Sequence, residues 1–281
     1  MNNSYTVKVP ENFDLGKIFD CGQAFRFRQD EDGSFVGVAH GRVLKVSQNE
    51  DILTLYDTTK EEYENIWSEY FCMDMDYAAI DVLLSTDEEI MNAISYGKGI
   101  RILRQQLWEM IITFIISQNN NIPRIAKLVE SLCENYGRKT EYEGKVYYTF
   151  PTPDELSAAT EEELTALKFG YRAGYITGFT SLVKEGLFDL GELESLPTAE
   201  ARKMLLSVKG IGGKVADCIL LFGMGRYEVC PHDTWIKKAL SEKYNIENVN
   251  EKKGYELVTE KWGNYAGIAQ QYLFYAQRYT Q

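Results

Sequence analysis

Residues 207–235 read SVKGIGGKVADCILLFGMGRYEVCPHDTW, with three glycines in the four positions 210–213. The segments on either side, AEARKMLLSV and KVADCILLFG, have helical character, so the stretch spells helix, tight hairpin, helix. Gly210, Gly212 and Gly213 allow a turn too sharp for residues with a Cβ. They also let backbone N–H groups come close to a phosphate. A helix-hairpin-helix of this kind grips a nucleic-acid backbone without reading its sequence. A glycine-rich link between two core helices would give the same pattern, so the hairpin alone leaves both readings open.

Lys214 follows the hairpin at the start of the second helix. There the helix dipole and partial burial both disfavour a cation, which is expected to lower the amine pKa and expose a neutral nucleophile. Lys209, on the other side of the hairpin, suits a phosphate contact. Asp233 lies nineteen residues after Lys214 and opens the segment DTWIKKAL. As a helix cap it is expected to stay ionised. A carboxylate near a lysine nucleophile can stabilise positive charge on a sugar and shuttle protons. Capping alone also accounts for its position.

The chain has 281 residues and a hydrophobic fraction of 44%, ordinary for a globular protein. MNNSYTVKVPENF has no apolar leader core, and MIITFIIS is too short to span a membrane. An intracellular, cytoplasmic protein without membrane association is expected. The five cysteines form no C-x-x-C pair and there are two histidines, so no metal site of the structural zinc or iron–sulfur kind is expected. The net charge of −12 argues against nucleic acid only if it is evenly spread. Residues 1–98 carry 8 basic and 19 acidic side chains, residues 99–281 carry 22 and 23, and residues 201–240 carry 7 and 3. A basic surface around the hairpin therefore remains open.

YTVKV, FRFRQ, SFVGVAHGRVLKVSQ and ILTLYD read as strands of an antiparallel sheet, with QDEDGS as a turn. TTKEEYENIWSEYF switches to a helical period, with a hydroxyl cap and Glu61 nearby. After about residue 100 nearly everything reads as helix. LWEMIITFIISQ is apolar almost all round and should be central. IPRIAKLVESLCENYG begins with a proline and ends in a glycine. The expected class is α+β, with a sheet-bearing unit over 1–98 and a helical unit over 99–281 that holds the hairpin near 201–223.

Hairpin, Pro231 and Asp233 together resemble the helix-hairpin-helix DNA glycosylase superfamily, and GGKVADC with its lysine resembles the 8-oxoguanine DNA glycosylase branch. CGQAFRFR, RILRQ, FIISQNNNIPRIAKLVESLCENYG, FGYRAGYI and YAGIAQQYLF match that family in order along nearly the whole chain. The resemblance implies a TATA-binding-protein-like sheet joined to two helical subdomains. It also implies a monomer that takes duplex DNA containing oxidised guanine and works without a cofactor. By motif, Lys214 becomes the nucleophile and Asp233 the catalytic carboxylate. Gly22, Phe114, Cys218, Gln270 and Phe274 become the base pocket, Gly22 through its carbonyl and Gln270 at the Watson–Crick edge. Asn119 fills the space the base vacates, Arg124 and Arg172 reach the orphaned base, and Tyr171 wedges the stack. Lys209, Gly210, Gly212 and Gly213 hold the backbone.

Many family members place a histidine two positions after the aspartate, where it contacts a phosphate; this chain has Trp235, whose indole donates one hydrogen bond but carries no charge. The implied activity is base excision followed by strand cleavage through a lysine Schiff base. An alkylpurine glycosylase of the same fold, which uses water instead of lysine, and a non-catalytic DNA-binding module are the alternatives.

Overall fold

The computed structural model describes residues 4–244 and 251–279. Five antiparallel strands form one sheet in the order β1-β5-β4-β3-β2: β1 Ser4–Lys8, β2 Arg28–Gln29, β3 Phe35–Ala39, β4 Arg42–Asn49 and β5 Ile52–Tyr56. The β3–β4 hairpin pairs Ala39 with Arg42, which leaves His40 and Gly41, both at positive φ, as a two-residue turn. That geometry matches the twist of the strands it joins. Of FRFRQ, only Arg28 and Gln29 are strand. The preceding residues leave the ladder because Phe25 and Arg26 turn inward and become buried.

Alternation along β4 and β5 sends Leu44, Val46, Leu53 and Leu55 to one face. There they meet Ile18, Phe19, Trp67, Tyr70 and Phe71 in a compact core of their own. Thr59 caps the helical run that follows, and its capping box closes with Glu62, not with Glu61. A second, larger core belongs to the helices. It takes Tyr77, Ile80, Leu84, Ile90, Ala93 and Ile94 from the helices Tyr77–Leu84 and Glu88–Gly97. The two cores interleave along the chain, since Cys21 and Phe25 join the helical core and Leu103 joins the sheet's core. Gly97 accommodates the close passage of Tyr272, whose ring would lie 2.6 Å from a Cβ there.

Arg101 ties the two cores together from a fully buried position. Its guanidinium donates to the carbonyls of Asn12 (3.1 Å), Phe71 (3.2 Å), Cys72 (2.6 Å) and Met75 (2.6 Å). At the centre of the helical body, Leu107–Ile116 is buried on nearly every side, as its all-round apolarity predicts. The helix Ile122–Tyr136 follows, capped by Asn121. Gly137 ends it in extended backbone, because a Cβ there would meet the Thr149 carbonyl at 1.9 Å.

One departure from an all-helical second half is a hairpin of β6 Lys139–Tyr142 and β7 Lys145–Tyr148. Glu143 and Gly144, both at positive φ, form its turn. The hairpin reaches back to the first sheet through Tyr142–Asp57 (2.9 Å), Lys45–Glu143 (3.1 Å) and Lys145–Asp30 (3.3 Å). Among the described residues, no helix is long and apolar enough to cross a membrane.

Candidate active site

The glycine stretch folds as helix Thr198–Leu206, a six-residue link and helix Gly213–Met224. Of its three glycines only Gly210 adopts a positive φ, +96°, and a Cβ there would lie 2.4 Å from the Tyr175 ring. Gly212 has an ordinary φ of −92°, and a Cβ there would touch nothing within 4 Å. The expectation that all three serve a sharp turn is thus corrected: Gly210 makes the turn, and Gly212 leaves the backbone accessible. Gly212 caps the second helix without any side-chain bond. The N–H groups of that helix's first turn are left for an outside acceptor, which is the arrangement that binds anions. Lys209 is exposed beside them. Buried Asp217 locks the two helices by accepting from Arg202 (2.7 Å) and from the Tyr255 hydroxyl. Gln118 Nε2 holds the Gly210 carbonyl at 2.9 Å.

Lys214, Cys218 and Phe222 recur every four residues and so share one face of the second helix. All three line a cavity with Phe114 and Asp233. Phe114 stacks on Phe222 with ring centroids 5.4 Å apart, and Lys214 Nζ lies 5.7 Å from the Phe114 centroid. The opposite wall brings Gly22 from the N-terminal region together with Gln270 and Phe274 from the helix Ala266–Tyr279. The inner chamber holds about 60 Å³. It opens through Gly22, Phe114, Lys214, Asp233 and Phe274 into a cleft of about 480 Å³.

Burial pushes the Cys218 thiol up to about 11, with nearby Lys214 opposing. It is a neutral packing surface at neutral pH. Asp233 caps the helix Thr234–Tyr244 by accepting from the Ile236 N–H at 2.8 Å. Its carboxyl nevertheless sits above the usual range. Burial raises it more than the cap and Lys214 lower it. Gly22 has φ +79°, and a Cβ there would sit 3.3 Å from both Ile122 and Phe274. It is a turn glycine and a pocket wall at once. Gln270 is buried, and its Oε1 has no hydrogen-bond partner among the described residues. Such an atom in a cavity wall calls for a partner from a ligand.

At the mouth, Asn119 is exposed and held at φ +47°. Its amide donates to the Tyr171 hydroxyl at 3.1 Å. Tyr171 is 50% exposed, and Arg124 is also exposed. Arg172 departs from its expected reach toward an orphaned base. It is only 4% exposed. Its guanidinium donates to the carbonyls of Gln118 (2.9 Å), Asn119 (3.2 Å) and Phe169 (3.3 Å). Those bonds hold up the loop that carries Asn119. Asn121 is a helix cap, accepting from the Arg124 N–H at 3.0 Å.

Several site residues escaped the sequence reading. Lys237 lines the outer cleft beside Trp235, one helical turn beyond Asp233; its i+4 spacing from the aspartate was the available signal. Gln23 is fully buried and bridges the Ile18 and Arg101 carbonyls (3.0 and 2.8 Å) and the Leu103 N–H (2.8 Å). Gln271 donates to the Cys21 carbonyl at 2.5 Å. Nothing local in the sequence announces partners so far away.

Residues 6–111 match the family model for the N-terminal domain of 8-oxoguanine DNA glycosylase. Residues 112–264 match that for the HhH-GPD superfamily of base excision DNA repair proteins. The chain is 32% identical to a Saccharomyces cerevisiae N-glycosylase/DNA lyase, over 92% of this chain and 82% of that one. It superposes with a TM-score of 0.95 on the Clostridium acetobutylicum 8-oxoguanine glycosylase/lyase in complex with double-stranded DNA containing cytosine opposite 8-oxoguanine. Identity there is 40%, and the match covers 99% of this chain and 97% of that one. An Archaeoglobus fulgidus 3-methyladenine DNA glycosylase, 22% identical with a TM-score of 0.80 over 98% of each chain, shares the fold. The lysine that follows the hairpin, the helix-capping aspartate in the same cavity and these matches lead to one assignment: the chain belongs to the 8-oxoguanine DNA glycosylase family within the HhH-GPD superfamily.

Proposed function

We propose that Lys214 and Asp233 are the catalytic pair of a bifunctional 8-oxoguanine DNA glycosylase and AP lyase. The enzyme removes 8-oxoguanine from duplex DNA and then cleaves the strand at the resulting site. A base inside the stack hides its anomeric carbon, so the damaged nucleotide is flipped out into the cavity. Phe274 and Cys218 sandwich the purine, Phe114 backs the pocket, and Gln270 meets the Watson–Crick edge. The Gly22 carbonyl accepts from N7–H, which 8-oxoguanine has and guanine lacks. Guanine would set a lone pair against that carbonyl and leave it unpaired, at a cost of about 1–3 kcal/mol.

The Lys214 amine then bonds to C1′ as the C1′–N9 bond breaks, and the base leaves with the electron pair and takes up a proton. Opening of the sugar ring, with loss of a proton from the amine, gives a Schiff base; removal of a C2′ proton then forms a C2′=C3′ double bond as the 3′ C–O bond breaks and the phosphate leaves with the electron pair. The Asp233 carboxylate stabilises the cationic sugar and relays protons. Outside the pocket, the uncapped helix start at Gly212–Gly213 and Lys209 hold phosphates. Asn119 enters the vacated space, Tyr171 wedges the stack and Arg124 faces the orphaned base. Arg172 supports Asn119 from behind. The enzyme acts as a monomer on cellular DNA.

The observation that carries this reading is the convergence of Lys214 and Asp233 on one cavity with Gly22, Gln270 and Phe274. Borohydride added during turnover on duplex with 8-oxoguanine opposite cytosine is expected to yield a covalent protein–DNA adduct, because it reduces a lysine Schiff base. Base release without an adduct would instead favour attack by water.

A further inference from the structure

Around Gly22 the backbone carbonyls are unevenly occupied. Asp20 O accepts from Arg278 Nη1 at 2.8 Å. Cys21 O accepts from Gln271 Nε2 at 2.5 Å, and Gln23 O accepts from Gln105 Nε2 at 3.1 Å. Among the described residues, no hydrogen bond ends on the Gly22 carbonyl. Three of four consecutive carbonyls are thus taken by side chains from distant segments, and the one left open is at the pocket wall.

This pattern constrains direction. A glycine at φ +79° has no Cβ to limit its neighbouring peptide planes. Left alone, such a turn exchanges between orientations that point its carbonyl to opposite sides. The Cys21–Gly22 plane is anchored by Gln271, and the Gln23–Ala24 plane by Gln105. With both neighbours pinned, the peptide between them is held at both of its Cα atoms. Gln271 belongs to the same helix as Gln270 and Phe274, and Arg278 and Tyr279 of that helix also bind Asp20. One rigid element therefore fixes both the pocket face and the turn opposite.

We propose that Gln271 and Gln105 are positioning residues for lesion reading: by occupying the two carbonyls that flank it, they aim the Gly22 carbonyl at the purine N7. Gln271 also lines the inner chamber, whereas Gln105 lies outside its lining and acts on the turn alone. The inference rests on the proposed role of Gly22. It predicts a division between two activities of one active site. Base release requires the purine to be read, whereas elimination at a preformed abasic site has no base to read and requires only the catalytic pair.

The test is Gln271→Met, which keeps the side chain's length and removes its donor, with Gln105→Met as the variant on the other flank. Single-turnover release of 8-oxoguanine should fall about tenfold in each, the scale of one lost hydrogen bond. Borohydride trapping on an abasic duplex should stay within twofold of wild type. Release of 8-oxoguanine within twofold of wild type in both variants would overturn the proposal. So would an equal loss on both substrates in both variants, since the glutamines would then serve the folding of the whole site. A wild-type protein that traps on neither duplex would defeat the underlying enzymatic reading instead, so the two failures are distinguishable.

Discussion

The two walls of the pocket are built in opposite ways. The wall that carries Lys214, Cys218 and Asp233 comes from a single stretch of twenty residues, with Lys214 and Asp233 placed by helix starts and Cys218 one turn further along the first helix. The facing wall joins the turn at Gly22 to the last helix, and the Gln271–Cys21 bond that fixes it spans 250 positions. On the proposed reading, bond-making chemistry sits on locally determined backbone, and recognition sits on a surface that exists only when the Gly22 turn and the helix Ala266–Tyr279 have packed together. Injury to the first wall should abolish turnover without touching the fold. Injury to the second should erode selectivity first.

Lys214→Gln should give the largest effect. Base release and borohydride trapping should fall by on the order of 10³-fold or more, since the nucleophile is gone. Duplex affinity should hold, because the hairpin's phosphate donors are backbone groups. Trapping that survived in this variant would move the nucleophile elsewhere, with Lys209 the first suspect, and would break the contrast between the walls.

Asp233→Asn should follow, slowing base release by roughly 10²-fold. Burial holds the Asp233 carboxyl above the ordinary range, so the acid limb of the wild-type pH–rate profile should lie higher than a solvated aspartate would place it. That limb should vanish in the Asn variant. For stability the sign is the reverse of a salt-bridged acid. A folded-state pKa raised above the unfolded value favours folding below the unfolded pKa, and the gain is lost as pH rises through the folded pKa. At neutral pH the buried carboxylate costs stability, while asparagine still caps the helix. The Asn variant should therefore melt at or above the wild-type temperature. A clear loss of stability would mean that the cap, not the chemistry, is what needs the charge.

The difference between the walls also governs what could be read from the sequence. The hairpin, the cap at Asp233 and the buried helix Leu107–Ile116 follow from glycine placement, cap chemistry and apolar periodicity, all of which act within a few residues. The β6–β7 hairpin was missed because its stability is tertiary: its turn docks on the first sheet through Lys45 and Asp57. Arg172 looked like a surface arginine on a loop. Only the fold shows its guanidinium turned onto the carbonyls of Gln118 and Asn119. Gln23, Gln105 and Gln271 are polar residues of ordinary appearance whose partners lie up to 250 positions away. Periodicity would assign Gln271 merely to the next face round from Gln270.

The smallest expected effect concerns Lys237, at the rim of the local wall. Trp235 occupies the position where many family members carry a phosphate-binding histidine, and its indole brings no charge. Lys237 lines the same cleft, is exposed and forms no ion pair among the described residues. Lys238 beside it lies 3.8 Å from Glu242. A free lysine at the edge of a DNA-facing cleft is suited to release one counterion on binding, which gives a log–log salt slope of roughly −0.9 per phosphate. The chain as a whole is acidic at −12, so a steep slope in the wild type would itself mean that the basic residues near the hairpin face the duplex. Lys237→Gln should make that slope shallower by roughly 0.9 and weaken binding to damaged and undamaged duplex alike, because a phosphate contact carries no base information. Lys238→Gln should change the slope less, its charge being already matched. The measurement is duplex affinity by fluorescence anisotropy across a salt series. Equal slopes for wild type and Lys237→Gln would remove Lys237 from the DNA interface and leave the phosphate grip at Trp235 to backbone groups alone.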